Sequence, residues 1–419
     1  MDGFDAQSMG FLVPPISEAL GISLADFGPV LASALVGLTI GAMLSGPIAD
    51  RWGRRWPLIL STFAFGVFSI ATTQASSVWE FVLFRFLTGL GLGGAIPNVV
   101  ALASEFAPAR LQPILVTTIF AGMPAGALFA SVLASLVLPV WGWKAVLFVG
   151  GVLPIAIAFI LMARLPESIR FLTERGRETA AIHRLLRRIA PDLESAPLAS
   201  PGATDARIDG FPVAHLFTEG RAGGTVLLWI PFFMNLLILF FVVSWLPALM
   251  RQAGMPASAG VSAVLMFSVG GIIGTVSQGR LMKAFGSQRM ILIDFGAALV
   301  LIIAASSMFS SFALLTASIL LLGAFVQGAQ GGLNVLAAAF YPTAIRSTGV
   351  GWALGIGRIG SIIGPTLGGA LLAMKWTPQE IFRAGAIPAA GGAVALLVAA
   401  ALPDAINPFR DRSSDPAHH

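Results

Sequence analysis

The chain has 419 residues, of which 56% are hydrophobic and 11% charged, with a formal net charge of +5 and a mean hydropathy of +0.87. This composition excludes a soluble globular protein and indicates a chain that lies in a lipid bilayer. The absence of cysteine excludes disulfides, thiolate catalysis and cysteine metal sites.

Apolar runs of membrane-spanning length recur along the chain. Crossing a hydrocarbon core about 30 Å thick takes roughly 20 apolar residues as a helix, and backbone groups in lipid must bond within their own segment. Residues 1–20 are apolar but interrupted by charges and prolines, so they are too short and broken for a full span. Helices are predicted at 28–49, 57–76, 80–104, 113–138, 143–163, 224–250, 258–281, 289–308, 312–340, 347–373 and 379–402.

A charged turn between the first two predicted spans is the most specific pattern. It reads Gly46-Pro-Ile-Ala-Asp50-Arg51-Trp-Gly53-Arg54-Arg55 and resembles the loop between helices 2 and 3 of the major facilitator superfamily. The resemblance implies an all-α membrane protein in which two six-helix bundles surround a central cavity. Counted back from this turn, residues 1–20 end helix 1, so the N-terminal half of that helix is expected upstream of Met1 and truncated in this chain.

The pattern of spans predicts four parts. Residues 1–163 form an N-terminal bundle of helices 1–6, with helix 1 partial, and residues 224–402 form a C-terminal bundle of helices 7–12. Residues 164–223 form a cytoplasmic central loop, with a basic amphipathic helix at 168–189 on the membrane surface and a flexible linker at 195–210. Residues 403–419 form a disordered cytoplasmic tail.

The two halves resemble one another, as expected of parallel repeats. Residues 93–98, which end in Asn98, correspond loosely to residues 331–334, which end in Asn334. The sequence Gly279-Arg280-Leu-Met-Lys283-Ala-Phe-Gly286 is a degenerate copy of the charged turn, with Lys283 in place of its acid. The helices that carry Asn98 and Asn334 are therefore predicted to be symmetry mates, and both asparagines are candidates for substrate binding.

Lysine and arginine are distributed unequally between the two sides of the predicted helices. The positive-inside rule places the richer side, and with it the C-terminus, in the cytoplasm. The sequence pI of about 10.6 thus reflects topology and not nucleic-acid binding. The richer side carries residues 51–55, 110, 280–289, 346, 410–412 and the central loop, and the other side carries Lys144, Arg251, Lys375 and Arg383.

Ionisable residues inside apolar spans are the main functional candidates, because each costs roughly 2.5 to 3.5 kcal/mol to insert. Asp2 and Asp5 are three residues apart and share a helix face, so they are candidates for proton coupling. Arg85 begins a glycine-rich stripe that predicts a packed seam. Arg358 lies deep in its span, where a guanidinium suits a bidentate carboxylate, and Trp352 is a candidate for stacking on a substrate ring.

Charged residues near the cytoplasmic ends of the helices are candidates for gating. Asp50 is predicted to form a cytoplasmic latch by pairing with arginines and with the N-terminal end of helix 11, which holds the two halves together when the outside is open. The alternative is a purely topological role for Arg51, Arg54 and Arg55. Glu105 and Arg346 allow either surface pairing or a functional role, Glu105 in proton coupling and Arg346 in gating. Asp294 is interpreted as structural. The gating candidates are Asp50, Arg51, Arg54, Arg55 and Arg346.

A narrower resemblance begins at Asp2-Gly3-Phe4-Asp5, which is similar to the D-G-x-D motif of the aromatic acid:proton symporters, relatives of the 4-hydroxybenzoate and protocatechuate transporters. Residues 85–98, 244–247 and 341–365 support it. The resemblance implies import of an aromatic carboxylate with protons across a bacterial inner membrane, by a monomer without cofactor, metal or enzymatic activity. It assigns importance to Asp2, Asp5, Asp50, Arg85 and Arg358, with Glu105 and Arg346 as further matches.

Three alternatives stay open at the level of sequence. The chain could be a symporter of another organic acid, such as shikimate, nicotinate or a dicarboxylate. It could be a sugar-type porter, because Leu165-Pro166-Glu167-Ser168 is also seen in those proteins, although the chain lacks their P-E-T-K-G stretch after the last helix. A different class would be a membrane sensor that binds aromatic acids without transporting them.

Overall fold

A computed structural model describes residues 1–106, 112–168, 171–172, 213–218, 220–341 and 345–401. The predicted linker at 195–210 and the tail at 403–419 lie outside these ranges. Nearly all of the predicted amphipathic helix at 168–189 lies outside them as well.

The described residues form helices joined by short turns. The helices are α1 (Asp2–Leu20), α2 (Phe27–Trp52), α3 (Arg55–Thr72), α4 (Val78–Phe106), α5 (Gln112–Arg164), α6 (Ala222–Gln252), α7 (Ala257–Phe285), α8 (Ser287–Ser306), α9 (Phe312–Phe340), α10 (Arg346–Ala373), α11 (Pro378–Ala384) and α12 (Ala386–Ala400). Short 3₁₀ turns at Leu24–Asp26 and Ala214–Leu216 precede α2 and α6. The predicted all-α membrane fold is confirmed.

Within the described part of the chain, 10 helices are long and apolar enough to cross a membrane. The sequence predicts separate spans at 113–138 and 143–163, whereas the structure joins them in α5. Gly142 interrupts α5 with φ 74° and ψ −178°, a conformation that glycine adopts without steric cost. The predicted break is therefore present as a single non-helical glycine.

The end of α1 agrees with the count from the charged turn, because α1 ends at Leu20. Pro14 and Pro15 lie inside this helix. Prolines are tolerated within helices of membrane proteins, where neighbouring groups can satisfy the freed carbonyls. The prolines therefore do not stop α1, although the interrupted apolar pattern of residues 1–20 suggested a broken segment.

The chain divides into two compact units, of which unit 1 comprises Met1–Asp2, Ser33–Ala125 and Leu147–Arg207. Its helices pack through glycines that permit close approach. A Cβ at Gly89 or Gly93 of α4 would overlap the carbonyls of Ala34 and Leu38 in α2. The glycine stripe after Arg85 is therefore a packed helix seam, as the sequence predicts.

Unit 2 comprises Gly3–Ala32, Gly126–Val146 and Ile208–His419. Gly10 of α1 lies against the carbonyl of Val243 in α6. Trp245, which is fully buried, donates its indole N–H to the carbonyl of Pro365 at 2.8 Å. These contacts join α1, α6 and α10 within the unit, while the predicted division into bundles at 1–163 and 224–402 stays a prediction.

Candidate substrate-binding residues

Unit 1 holds Arg85 and Asn98, both on α4 and both 2% exposed. The Asn98 amide donates to Ser45 Oγ and to the carbonyl of Gly94, each at 2.8 Å. Ser45 Oγ in turn donates to the Gly94 carbonyl at 3.0 Å. Both N–H groups of Asn98 are therefore engaged inside unit 1, where the amide joins α4 to α2.

The charged turn of unit 1 is organised around a carboxylate. Glu167 Oε1 accepts the backbone N–H groups of Arg54 at 2.8 Å and Arg55 at 3.1 Å, and that of Ser168 at 2.9 Å. The N–H groups of Arg54 and Arg55 lie at the start of α3, where the helix dipole favours a negative charge. Glu167, which in the sequence belongs to a motif shared with sugar porters, therefore caps α3.

The arginines of this turn occupy different environments. Arg51 is exposed, whereas Arg54 and Arg55 are half-buried. Arg55 Nη2 donates to the carbonyl of Met162 at 2.8 Å, and the guanidinium lies 5.4 Å from the ring centroid of Trp56. Arg55 thus links the start of α3 to the end of α5.

Four predicted site residues are placed only by their backbone. Asp2 begins α1, Asp50 lies two residues before the end of α2, Glu105 is next to last in α4, and Arg346 begins α10. Their side chains lie outside the described part of the structure. Their predicted roles in proton coupling and gating therefore stay predictions.

In unit 2, α1 presents buried polar residues. Asp5 is 5% and Gln7 is 3% exposed. Gln7 Nε2 donates to the carbonyl of Val264 and to Ser268 Oγ, both at 3.4 Å. These long hydrogen bonds connect α1 to α7 two residues from Asp5.

Arg358 is half-buried in the middle of α10. Its neighbour Gly357 faces α6, since a Cβ there would lie 2.7 Å from Leu236 Cδ1 and 3.3 Å from the carbonyl of Phe232. Among the residues that the structure describes, none forms a hydrogen bond or ion pair with the Arg358 guanidinium. A membrane-spanning helix therefore carries a cation that has no partner in the described part of the chain.

A row of amide side chains joins α6 to α9. Asn235 of α6 is 1% exposed, and its Nδ2 donates at 3.0 Å to the carbonyl of Val326 and to Gln330 Oε1. Gln330 Nε2 donates to Asn334 Oδ1 at 3.4 Å, and Asn334 is exposed. This amide row, Asn235–Gln330–Asn334, runs from the interior of unit 2 to its surface.

Trp352 lies beside another tryptophan. Its ring stacks on Trp229 of α6 with 6.0 Å between centroids and 17° between planes. Trp229 also meets Phe217 edge-to-face at 5.6 Å. Since Trp352 is 42% exposed, part of its ring surface stays open.

Asp294 and Gln278 form a buried polar pair between α8 and α7. They are 1% and 3% exposed, and Gln278 Nε2 donates to Asp294 Oδ2 at 2.8 Å. A Cβ at Gly332 of α9 would lie 2.9 Å from Gln278 Nε2. The pair therefore fills a space that glycine in α9 leaves open, which agrees with a structural role for Asp294.

Several polar residues of unit 2 are absent from the sequence-based candidates, including Gln7, Asn235, Gln278 and Gln330. Most of the sequence-based candidates are ionisable, whereas these side chains are neutral amides inside apolar spans. A signal was present in the run 312–340, where Gln327, Gln330 and Asn334 follow a helical spacing of three and four residues. This spacing of neutral polar residues on one helix face is the sequence signal for Gln330 and Asn334.

The family profile described as Major Facilitator Superfamily matches residues 1–308 of this chain. The chain belongs to the major facilitator superfamily. The resemblance carried by the charged turn is thereby confirmed. The scaffold is that of a transporter and not of an enzyme.

Several proteins named as transporters are similar in sequence to this chain over nearly its whole length. The 4-hydroxybenzoate transporter PcaK of Pseudomonas aeruginosa is 37% identical over 95% of this chain and 89% of its own length. The gallate transporter of Pseudomonas putida is 35% identical over 94% and 88%. The benzoate transport protein of Acinetobacter baylyi is 32% identical over 95% and 86%. The resemblance to aromatic acid transporters is confirmed by these relatives.

Solved structures support the fold. A crystal structure of the D-xylose-proton symporter superposes with a TM-score of 0.74, covering 94% of this chain and 93% of that chain at 19% identity. An inward-open structure of the xylose transporter XylE from E. coli gives a TM-score of 0.73, covering 94% and 92%, also at 19% identity. These matches establish the major facilitator fold.

Proposed function

We propose that this chain is a proton-coupled secondary transporter that imports an aromatic carboxylate of the hydroxybenzoate type by alternating access. The observation that carries the proposal is the Arg358 guanidinium, which lies in a membrane-spanning helix without a partner among the described residues. Relatives named as transporters of 4-hydroxybenzoate, gallate and benzoate support an aromatic acid as its ligand.

Arg358 suits a carboxylate for electrostatic and geometric reasons. A lone cation within a bilayer costs several kcal/mol unless it faces water or an anion. The planar guanidinium can donate two parallel hydrogen bonds to one carboxylate. Arg85, Trp352, Asn98 and Asn334 are further substrate-binding candidates, and the present contacts favour Asn334, whose amide is exposed, over Asn98, whose N–H groups are both engaged.

Proton coupling is proposed for the aspartates of α1 and for Glu105. Import of an anion into a negatively charged cell opposes the membrane potential by about 2.3 kcal/mol per charge per 100 mV. A carboxylate that takes up a proton during the cycle cancels this charge. Asp5, buried on α1, is the first candidate, followed by Asp2 and Glu105.

Gating is proposed for the charged turn and for Arg346. Asp50 would pair with arginines in one state of the cycle and release them in another. The contact of Glu167 with the backbone of Arg54 and Arg55 supports this proposal, because it holds the turn in one position from which Asp50 can act. Asp50→Ala is expected to lower transport more than substrate binding.

The proposed location is the bacterial inner membrane, with the C-terminus in the cytoplasm and the transporter acting as a monomer. The proposed partners are a small aromatic carboxylate, protons and the lipid bilayer. A symporter of shikimate, nicotinate or a dicarboxylate is the runner-up. A panel of these acids as competitors of labelled 4-hydroxybenzoate would rank the classes.

Uptake into proteoliposomes tests the proposal directly. The purified chain should accumulate labelled 4-hydroxybenzoate when the inside is alkaline, and a protonophore should abolish accumulation. Arg358→Gln should lose uptake, whereas Arg251→Gln should keep it, because Arg251 forms an exposed ion pair with Glu18 at 2.9 Å. Binding without accumulation would favour the sensor, and full uptake by Arg358→Gln would contradict the role of Arg358.

The role of Asp5 has its own test. Asp5→Asn should retain exchange of labelled for unlabelled substrate across the membrane while losing proton-driven accumulation. Such a split arises because exchange requires no net proton transfer. Accumulation at the wild-type level would refute proton coupling at Asp5 and leave the substrate assignment unaffected.

A further inference from the structure

We infer that Gln330 and Asn334 of α9, held by Asn235 of α6, form a subsite for a hydroxyl group on the substrate ring. The inference rests on the proposed function and adds the residues that recognise the ring hydroxyl of a hydroxybenzoate. It predicts a transporter that prefers hydroxylated aromatic carboxylates to benzoate itself.

The first step is the orientation of the amide row. Asn235 donates to Gln330 Oε1 at 3.0 Å and to the Val326 carbonyl at 3.0 Å. Since the oxygen of Gln330 is held by Asn235, its Nε2 is directed away from α6 toward Asn334, whose Oδ1 accepts at 3.4 Å. The buried side chain of Asn235 thus fixes the orientation of the Gln330 amide, whose Nε2 remains the donor.

The second step is the unused hydrogen-bonding capacity of the row. Each amide nitrogen carries two N–H groups, and Gln330 uses one of them on Asn334. Neither the second N–H of Gln330 nor the N–H groups of Asn334 have a partner among the described residues. A phenolic hydroxyl both accepts and donates, so it can receive these N–H groups.

The third step is the surroundings of Asn334. This exposed residue lies in the candidate membrane span Phe312–Ala337. An amide that faces hydrocarbon without a partner costs roughly 2 to 7 kcal/mol, so polar side chains in spans face water or a ligand. The exposed end of the amide row is therefore expected to contact an aqueous path or a polar substrate, and not lipid.

The fourth step relates the row to Arg358. Phe232 and Leu236 of α6 contact α10 at Gly357, the neighbour of Arg358. Asn235, between them in sequence, contacts Gln330. One turn of α6 therefore touches α10 beside the guanidinium and α9 at the amide row, which places both polar features at the same level of unit 2.

Asn98, the sequence counterpart of Asn334, supplies a contrast. Its N–H groups are engaged by Ser45 and Gly94, and its side chain is 2% exposed. The two asparagines, which the sequence predicts to be symmetry mates, thus differ in how many of their N–H groups are available. Recognition of a ring hydroxyl is accordingly assigned to Asn334 and not to Asn98.

The inference is tested by comparing substrates in proteoliposomes. Wild type, Asn334→Leu and Gln330→Leu are measured with 4-hydroxybenzoate and with benzoate. A site that hydrogen-bonds a hydroxyl discriminates against ligands that lack it, and loss of one such bond is expected to change KM about tenfold. Both variants should raise KM for 4-hydroxybenzoate about tenfold while changing KM for benzoate less than about twofold.

Gln327→Leu is the matched control, because Gln327 lies on the same helix but donates to the Phe267 carbonyl at 3.4 Å. It should leave the ratio of the two KM values unchanged. Benzoate uptake also reports that each variant is folded. Equal changes for both substrates, or no change for either, would overturn the inference while leaving wild-type transport of aromatic acids intact.

Failure of the broader proposal has a separate outcome. If wild type accumulates neither acid under a proton gradient, the proposed function fails and the hydroxyl subsite fails with it. If wild type transports both acids with equal KM, the proposed function stands and the subsite alone is refuted.

Discussion

The two charged turns of this transporter each contain a glycine with a positive φ angle, but different side chains stabilise them. Gly53, in the first turn, and Gly286, in the second, have φ values of 88° and 84°. Gly53 lies two residues before the start of α3, and Gly286 directly precedes the start of α8. Beside Gly53 lies the carboxylate of Glu167, 2.5 Å from where a Cβ would be. Beside Gly286 no atom of the described residues, apart from its own chain neighbours, lies within 4 Å of that position.

The second turn is stabilised by a hydrogen bond between the two helices that it joins, α7 and α8. Gln278 of α7 donates to Asp294 of α8 at 2.8 Å, and both side chains are buried. The first turn uses a carboxylate from the segment after α5 to cap α3. The two turns thus have similar glycine conformations but different anchors, a half-buried carboxylate in the first and a buried amide–acid pair in the second.

The largest expected effect comes from adding a methyl group at each turn. Gly53→Ala imposes a left-handed conformation and displaces the Glu167 carboxylate, at a combined cost of about 2 to 4 kcal/mol. Gly286→Ala imposes the conformation alone, at about 1 to 2 kcal/mol. Thermal unfolding in detergent should show the larger loss for Gly53→Ala, and equal losses would mean that Glu167 does not distinguish the turns.

The buried pair behind the second turn is expected to give the next effect. Gln278→Leu leaves Asp294 without its hydrogen-bond donor and should destabilise the protein by about 1 to 3 kcal/mol. Asp294→Asn keeps an oxygen that can accept from Gln278 and should unfold close to the wild-type temperature. If Asp294→Asn abolished proton-driven uptake at wild-type stability, the pair would serve transport and not only structure.

Removing the cap of the first turn should have a smaller effect on stability. Glu167→Ala loses the acceptor for the N–H groups of Arg54 and Arg55, and a lost helix cap costs about 1 kcal/mol. Glu167→Gln, which retains an acceptor oxygen, is the matched control. Uptake should fall several-fold in the alanine variant and less in the glutamine variant, and wild-type uptake in both would separate the cap from gating.

The helices and the charged turns could be predicted from the sequence, but the contacts that anchor the turns could not. Runs of apolar residues and the charged turn predict the helices, because span length and turn composition are local properties. Glu167 and Arg54 lie 113 residues apart, and their contact depends on the return path of α5. Likewise, the sequence identifies Arg358 by its cost in a membrane, whereas the role of Gln330 depends on Asn235, 95 residues away.

The smallest effect is expected from restoring an acid to the second turn. Lys283 occupies the position of the acid in the first turn, and its side chain is exposed at the end of α7. Since the second turn is fastened by Gln278 and Asp294, Lys283→Asp should leave the unfolding temperature and uptake unchanged, with Lys283→Ala as the neutral control. A gain in uptake specific to the aspartate would show that the second turn has retained the latch chemistry proposed for Asp50, and that the different anchors do not divide the two turns by function.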